Sequence, residues 1–356
     1  MMKLTFVLCL LFSLTYATDY SLNPDLEEYT HGFVIETKQI NIPNHPHAFN
    51  ASLIHWKGKL LMGFRDEIIS SPLSVHENSG SSSHFYLVWL DDHFCPNSPI
   101  QEIIIESHFN DQPFYPIQDA RLIAVNDDLY LVYNGYLNPS TWVSRVSIAK
   151  LHHDGTSFHV IHNEQLHTFE GEAVSRPEKN WVPFVCEEEL YLAYELAPHR
   201  ILQPLLNGTG IAETIGISYP SIVWEWGELR GGTPAQIIDD QFYLSFFHSA
   251  KWCSSAHSDG QDALHYYIGA YLFERQWPFK IKKISPEPIV GRNFYHGKSY
   301  EPYWKPIVAV FPCGFIIEND VIWLTYGRQD HEIWIAKIDK KTLLDSLIRV
   351  SNKTNK

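Results

Sequence analysis

The feature of this chain that most restricts its possible folds is a weak internal repeat. Five times, a polar turn is followed by a short apolar strand that ends in a polar or small residue. The segments are 58–65, 127–134, 188–195, 240–248 and 319–328, and their matching leucines are Leu61, Leu131, Leu192, Leu244 and Leu324. Recurring units of this kind are typical of repeat architectures, in which one supersecondary unit is stacked or arranged in a ring.

Most copies of the repeat are followed by a second run rich in β-branched and aromatic residues, and helical periodicity is almost absent. These second runs are 85–91, 146–151, 268–274 and 333–339. Five similar β units predict an all-β fold, a five-bladed β-propeller with four short antiparallel strands per blade around a central channel. The alternative is a β-sandwich in which the similarity is accidental.

The beginning of the chain differs from the repeat region. Lys3 precedes an apolar run from Leu4 to Leu14, and small residues follow up to Ala17. This pattern predicts a cleaved signal peptide over residues 1–17, because the run is too short to span a bilayer. A retained anchor is the alternative. With cleavage, the protein is expected to be secreted or periplasmic, with no membrane partner.

The predicted propeller occupies residues 18–340, and a tail of residues 341–356 follows it. Helical periodicity within 341–350 predicts a short helix there. Three segments, beginning at Asn50, Asn207 and Asn352, match the acceptor pattern for N-glycosylation. That pattern matters only in a eukaryotic host.

Charge and cysteine content exclude several classes of function. The net charge is -14, from 41 acidic and 27 basic residues. No nucleic-acid partner is expected, because such binding needs a basic face. No metal site is predicted, since the mature chain has no C-x-x-C pair of the kind that binds zinc. No cofactor is predicted either. The disulfide state of its four cysteines and the oligomeric state stay open; the cysteines are Cys95, Cys186, Cys253 and Cys313.

The repeat also indicates where charge faces the channel. The residues four positions beyond the repeat leucines include Arg65, His248 and Arg328. Three of five equivalent positions are therefore cationic or able to become so. In an acidic protein this indicates an anion pocket, although unrelated surface residues are the alternative.

Three polar loops precede repeat strands and carry groups that can act chemically. Asp119 lies next to Arg121, and it can serve as a proton donor if a dry channel raises its pKa, or form a turn paired with that arginine. Lys179 and Asn180 offer a point charge and an amide suited to phosphate or sugar hydroxyls. Arg230 precedes two glycines that would let the backbone approach a ligand. A purely structural loop is the alternative in each case.

Several motifs resemble those of glycoside hydrolase family 130, which contains β-mannoside phosphorylases and β-mannosidases, and those of related β-1,2-mannosyltransferases. The segment Gln118-Asp119-Ala120-Arg121 is similar to the family's Glu-Asp-Pro-Arg motif, with Gln118 and Ala120 as departures. The other similar segments, in the family's order, are 232–234, 243–249, 267–274, 284–289, 310–314 and 326–330 with 335–336. The resemblance runs from about Arg65 to Ala336.

This resemblance implies a five-bladed propeller and an enzyme. Asp119 matches the catalytic proton donor, which acts directly or, by one proposal, through a sugar hydroxyl. Inorganic phosphate then attacks the anomeric carbon from the opposite face, with inversion. Asp330 resembles the residue that holds sugar hydroxyls. The residues at or near positions of phosphate or −1 sugar ligands are Arg65, Lys179, Arg230 and His248. Arg121 and Asn180 are further candidates for binding substrate or phosphate.

The expected function is thus inverting phosphorolysis of a β-mannoside to mannose 1-phosphate, with an oligosaccharide or glycan as substrate and phosphate as co-substrate. Hydrolysis is an alternative, since Glu178, Glu195 and Glu228 could supply the second carboxylate that it needs. Transfer of a mannosyl group, a non-catalytic sugar-binding propeller and a propeller that binds proteins remain further alternatives.

Overall fold

The computed structural model describes residues 31–67, 83–105, 107–109, 112–114, 117–138, 143–169, 172–173, 178–255, 258, 260–295 and 307–353. The predicted signal peptide lies outside these residues.

The described chain consists almost entirely of strands. In the first half they are β1 (Val34–Ile40), β2 (Phe49–Trp56), β3 (Lys59–Glu67), β4 (Ser83–Leu90), β5 (Gln101–Ile103), β6 (Ser107–Phe109), β7 (Gln112–Phe114), β8 (Gln118–Val125), β9 (Asp128–Asn138), β10 (Val143–His153), β11 (Phe158–Gln165), β12 (Thr168–Phe169), β13 (Glu172–Ala173) and β14 (Val182–Cys186). In the second half they are β15 (Glu189–Leu196), β16 (His199–Pro204), β17 (Ala212–Ser218), β18 (Pro220–Ser221), β19 (Glu228–Gly231), β20 (Gln236–Ile237), β21 (Phe242–Ser254), β22 (Asp262–Glu274), β23 (Ile281–Ile284), β24 (Ile307–Val308), β25 (Val310–Glu318), β26 (Val321–Arg328), β27 (Glu332–Asp339), β28 (Ile348–Arg349) and β29 (Ser351–Asn352), with helix α1 (Lys340–Ser346) between β27 and β28.

Five antiparallel sheets form the blades, and the predicted five-bladed β-propeller is confirmed. Blade 1 is β2–β5, blade 2 is β8–β11 and blade 3 is β14–β17. Blade 4 is built on β21, β22 and β23, and its inner edge is divided between β19 and β20. Blade 5 is β25, β26 and β27, with β1 as its outermost strand.

The repeat leucines explain why the five sheets pack as a ring. Each lies in the second strand of its blade and has no measurable solvent exposure; they are Leu61, Leu131, Leu192, Leu244 and Leu324. From there they join the hydrophobic clusters that fill the spaces between neighbouring blades. A strand buried on both faces therefore recurs at the same place in each unit, which is the physical basis of the sequence repeat.

The ring closes through the N-terminal end of the described chain. Strand β1 pairs antiparallel with β27, and the register joins Lys38 to Ile335 and Ile40 to Ile333. Blade 5 therefore combines strands from both ends of the chain, which a repeat counted along the sequence does not reveal.

The tail packs back onto blade 4 and onto strand β18, which follows blade 3. Asp339 caps helix α1, where its side chain accepts a hydrogen bond from the amide of Thr342. Strands β28 and β29 then pair with β23 and β18. The four cysteines among the described residues, Cys95, Cys186, Cys253 and Cys313, are free thiols. Within the described ranges, no helix is long and apolar enough to cross a membrane.

Candidate active site

At one end of the channel, three blades each have a residue in the left-handed backbone conformation, within or just before the innermost strand. Asn50, Asp119 and Asn180 have φ angles of 48°, 46° and 66°. In β2 and β8 the strand register shifts across 49–52 and 118–121, as it does at a β-bulge. A bulge re-aims the side chain that it carries, and Asn and Asp tolerate this conformation better than most residues. Side chains from separate blades therefore meet at this end, which we call the site face.

The carboxylate of Asp119 meets two side chains of blade 1. Asn50 Nδ2 donates to Asp119 Oδ1 at 2.7 Å, and Arg65 Nη1 donates to the same oxygen at 3.3 Å. Burial raises the pKa of Asp119, but the charges of Arg65 and Arg121, the hydrogen bond from Asn50 and the charge of Lys179 together outweigh burial and lower that pKa. The free site thus keeps Asp119 ionised. The condition of a raised pKa, under which the sequence allowed Asp119 to be a proton donor, is not met in the free site, because cations from other blades surround the carboxylate.

Arg121 is buried beneath the pocket and ties three blades together. Its Nη1 donates to the main-chain oxygen of Asp119 at 2.7 Å, and its Nε donates to the oxygen of Gly232 at 2.8 Å. Its Nη2 donates to Asn180 Oδ1 at 3.2 Å. The guanidinium therefore fixes the backbone that presents Asp119. We therefore assign Arg121 a positioning role beneath the pocket, whereas the sequence had predicted that it binds substrate or phosphate.

Lys179 shows that groups from all five blades converge. The pKa of Lys179 is lowered, chiefly because protein atoms surround its ammonium group. The charges of Asp119 and Asp330 raise this pKa, whereas those of Arg230 and Arg65 lower it further. Those four charged groups belong to blades 2, 5, 4 and 1, and Lys179 itself precedes the first strand of blade 3. The loops predicted to meet at one rim of the channel do so.

His248 lies directly across the β19–β21 pair from Arg230. Its Nδ1 donates to the main-chain oxygen of Gly231 at 2.9 Å, because a carbonyl oxygen can only accept, so Nε2 is the acceptor nitrogen. Burial and the charges of Arg121, Arg230 and Lys179 lower the pKa of His248 to about 3. The predicted cation at this position is therefore a neutral imidazole in the free protein.

Arg328, the third cationic repeat position, does not add free charge to the pocket. It forms a buried ion pair with Glu332, and its guanidinium lies over the Trp334 ring at 4.6 Å. Arg65 and Arg328 occupy equivalent positions after their repeat leucines, yet only Arg65 reaches Asp119. The indicated anion pocket therefore draws its positive charge from Arg65, Lys179 and Arg230.

Arg230 also forms an ion pair at the protein surface. Its Nη2 donates to Glu228 Oε2 at 2.8 Å. The sequence had suggested that the two glycines after Arg230 let the backbone approach a ligand, but in the structure they allow close packing of the protein's own backbone. A Cβ on Gly231 would lie 2.1 Å from the main-chain oxygen of Asn180, and one on Gly232 would lie 2.6 Å from that of Phe246. They let β19 approach blade 3 and its own neighbouring strand.

Three further residues complete the site and escaped the sequence analysis. Asn50 fell within a glycosylation pattern, yet it is buried against Asp119. Asn134 Oδ1 accepts from the amide of Asn180 at 3.1 Å. The Tyr266 ring stacks on His248 with centroids 5.8 Å apart. Only the polar character of Asn134 after an apolar strand could have indicated one of these roles.

Tyr266 belongs to the pocket electrostatically as well. Burial and the charge of Asp330 raise its pKa, Arg230 opposes them and Asp119 adds to them, and the pKa reaches about 12. The phenol is therefore protonated and can donate a hydrogen bond. Asp330 itself follows β26 in a turn, with a φ of 52°. Among the described residues, no group of three or more His, Cys, Asp or Glu is arranged to hold a metal ion.

Comparison with known proteins identifies what this arrangement resembles. A family model described as β-1,4-mannooligosaccharide phosphorylase matches residues 213–349. A 1,2-β-oligomannan phosphorylase from Thermoanaerobacter sp. (strain X514) is 23% identical over 261 residues, which cover 67% of this chain and 73% of that protein. The resemblance to glycoside hydrolase family 130 is confirmed.

Solved structures show the same fold. A β-1,2-mannobiose phosphorylase from Listeria innocua, in complex with β-1,2-mannobiose, is similar with a TM-score of 0.58 and 15% identity, covering 89% of this chain and 93% of that one. A GDP-Man-dependent mannosyltransferase from Leishmania mexicana is similar with a TM-score of 0.54 and 11% identity, covering 87% and 91%. Since the two catalyse different reactions, the fold alone does not select between them.

Proposed function

We propose that this chain is an inverting phosphorylase that transfers a mannosyl group from a β-mannoside to inorganic phosphate and releases mannose 1-phosphate. One observation carries the proposal: a partly exposed carboxylate, that of Asp119, lies in a pocket where Arg65, Lys179 and Arg230 gather from three other blades. The names of the family model and of the Thermoanaerobacter relative support the same chemistry.

The pocket matches the demands of phosphorolysis. A phosphate oxygen attacks the anomeric carbon, the glycosidic carbon–oxygen bond breaks, and the leaving oxygen takes a proton that comes from Asp119 directly or through a sugar hydroxyl. Cationic side chains stabilise the phosphate as it reacts. The neutral His248 can accept a hydrogen bond through Nε2, and Tyr266 can donate one. One acid suffices, because phosphate is itself the nucleophile.

Hydrolysis needs a second carboxylate as the base for water. Each candidate from the sequence is already engaged. Glu178 is buried and accepts hydrogen bonds from Trp181 and Tyr194, at 3.3 and 3.2 Å. Glu195 pairs with Arg200, and Glu228 pairs with Arg230. These engagements favour phosphate over water as the acceptor.

The proposed site of action is outside the cytoplasm, on the strength of the pattern in residues 1–17. The proposed substrate is an oligosaccharide or glycan with a β-linked mannose. Inorganic phosphate is the co-substrate, and the scheme uses no organic cofactor.

The decisive experiment incubates the protein with β-mannobiose or β-mannotriose, with and without inorganic phosphate. We expect mannose 1-phosphate to form only when phosphate is present, as measured by phosphorus NMR. Free mannose in both samples would show that the enzyme is a hydrolase and not a phosphorylase. No product from a panel of β-mannoside linkages would favour a sugar-binding propeller.

Loss of one cation should appear as weaker phosphate binding. In Arg230→Ala, a charge-assisted contact worth about 1.5–3 kcal/mol is removed, so we expect KM for phosphate to rise on the order of 10- to 100-fold. Arg275→Ala is a matched control, since Arg275 directly follows β22 and its side chain donates to the main-chain oxygen of Asp239. An unchanged KM for phosphate in Arg230→Ala would exclude this role.

A further inference from the structure

The β21–β22 hairpin of blade 4 carries a row of rings from the pocket towards solvent. The directly opposed pairs are His248 with Ile268, Ala250 with Tyr266, and Trp252 with Leu264. Opposed residues share a face of the sheet, and residues two apart on a strand return to that face. His248, Tyr266 and Trp252 therefore lie along one face of the hairpin.

Exposure rises steadily along this row. His248 is 2% exposed, Tyr266 is half-buried and Trp252 is 46% exposed. Trp252 lies four positions after His248 in β21, which corresponds to about 13 Å along a strand. That span is longer than one hexose ring, so the indole lies beyond the reach of a sugar bound at Asp119.

The channel leaves a bound sugar chain one direction of exit. Cys313 Sγ donates to the main-chain oxygen of Ala120 at 3.6 Å, and both residues are fully buried. The amide of Leu122 donates to Ser52 Oγ at 2.9 Å. These contacts join the innermost strands of blades 1, 2 and 5 directly beneath Asp119. A chain whose terminal mannose reaches Asp119 must therefore continue outwards at the site face.

We propose that Trp252 forms an outer subsite on which the apolar face of a sugar stacks, and that its occupant is the leaving-group portion of a manno-oligosaccharide beyond the first sugar unit. This inference rests on the proposed function. An exposed indole offers a wide, rigid and apolar surface, which suits the C–H-rich face of a pyranose. The hairpin supports it, since β21 and β22 each run for 13 residues, whereas β15 has 8 and β16 has 6. The enzyme should therefore prefer longer oligomannosides to the disaccharide.

The test compares kcat/KM for β-mannobiose with that for β-mannotetraose of the same linkage in wild type, Trp252→Ala and Trp252→Phe. We expect Trp252→Ala to reduce the preference for the tetraose about 10-fold relative to wild type, the ratio that corresponds to one lost stacking contact. Trp252→Phe should recover part of that preference. Trp277→Ala is the matched control, because Trp277 is 70% exposed and hydrogen-bonded to Ile215, away from the site face.

A binding measurement keeps this inference separate from the proposed reaction. Titration calorimetry with mannotriose, without phosphate and therefore without turnover, should show tighter binding to wild type than to Trp252→Ala. If the two proteins bind mannotriose equally, or if Trp252→Ala lowers kcat/KM for both substrates by the same factor, the outer subsite is excluded. Weaker binding by Trp252→Ala with no turnover in wild type would overturn phosphorolysis and leave the subsite standing.

Discussion

Asp119 is ionised in the free site, although the proposed reaction asks it to give up a proton. Its pKa is held low mainly by Arg65 and Arg121, against the effect of burial. A phosphate dianion beside Lys179 and Arg230 would offset that positive charge. Phosphate would then raise the pKa of Asp119, and the cations that bind the nucleophile would also control when the acid becomes protonated.

The pH dependence of catalysis tests this coupling. If protonated Asp119 is the active form, activity falls as pH rises through the pKa of Asp119. Because phosphate adds negative charge, we expect that falling limb to lie at higher pH in saturating phosphate than in trace phosphate. The measurement is kcat/KM for the mannoside against pH at both concentrations. A limb that does not move with phosphate would refute the coupling.

Asp119→Asn tests the acid itself. The amide keeps the size of the carboxyl group but cannot donate as an acid, so we expect turnover to fall on the order of 10²- to 10⁴-fold. A mannoside with an activated leaving group should lose less, because its oxygen needs little protonation. Asp128→Asn is the control, since Asp128 is exposed and pairs with Lys150. Near-normal turnover of an ordinary mannoside by Asp119→Asn would assign the proton to another group.

Single residues also show where sequence interpretation stops. Asp119 could be singled out because a matching motif surrounds it. Asn50 could not, since its side chain gains its role only when the bulge in β2 turns it towards another blade. The effect of Arg65 on the pKa of Asp119 was not predictable for the same reason: Arg65 lies 54 positions earlier in the chain, and only the fold brings the two together.

At the scale of elements, β19 shows how close packing shapes the site. Gly231 brings this strand against the backbone of Asn180, where a Cβ would lie 2.1 Å from a carbonyl oxygen. That oxygen is part of the backbone, so relief requires the strands to separate. The loop that holds Lys179 and Asn180 therefore depends on the missing side chain of Gly231.

Gly231→Ala should consequently damage both stability and phosphate binding. Overpacking in a tight core typically costs about 1–3 kcal/mol, and we expect a loss of this size in the free energy of unfolding. KM for phosphate should rise as well, because Lys179 shifts. Urea unfolding and phosphate titration of the same samples measure both effects. Gly32→Ala is the control, since a Cβ there meets nothing within 4 Å. Unaltered stability in Gly231→Ala would mean that β19 can move aside freely.

At the scale of the whole molecule, the sequence predicted the blade number but not how the ring closes. The repeat was visible because each buried leucine occupies the same place in its sheet. Closure by β1 was not, because β1 carries no copy of the repeat, and its pairing with β27 joins residues that lie far apart in the chain. A propeller without that strand exposes an unpaired sheet edge in the blade that carries Asp330.

Removing the closing strand should therefore weaken the ring as a whole. We compare a chain that begins at His31, which retains β1, with one that begins at Asn41, which lacks it. The shorter chain loses the buried side chains of Val34 and Ile40, each worth about 1.5–3 kcal/mol, together with the backbone hydrogen bonds to β27. We expect its thermal midpoint to fall by about 5–10 °C, since each kcal/mol lost shifts the midpoint of a domain of this size by about 1–2 °C. Because blade 5 also positions Asp330, any folded fraction should bind oligomannosides more weakly. Calorimetry measures the midpoint and titration measures the affinity. Equal midpoints for the two chains would show that the ring is held closed by the contacts between blades alone.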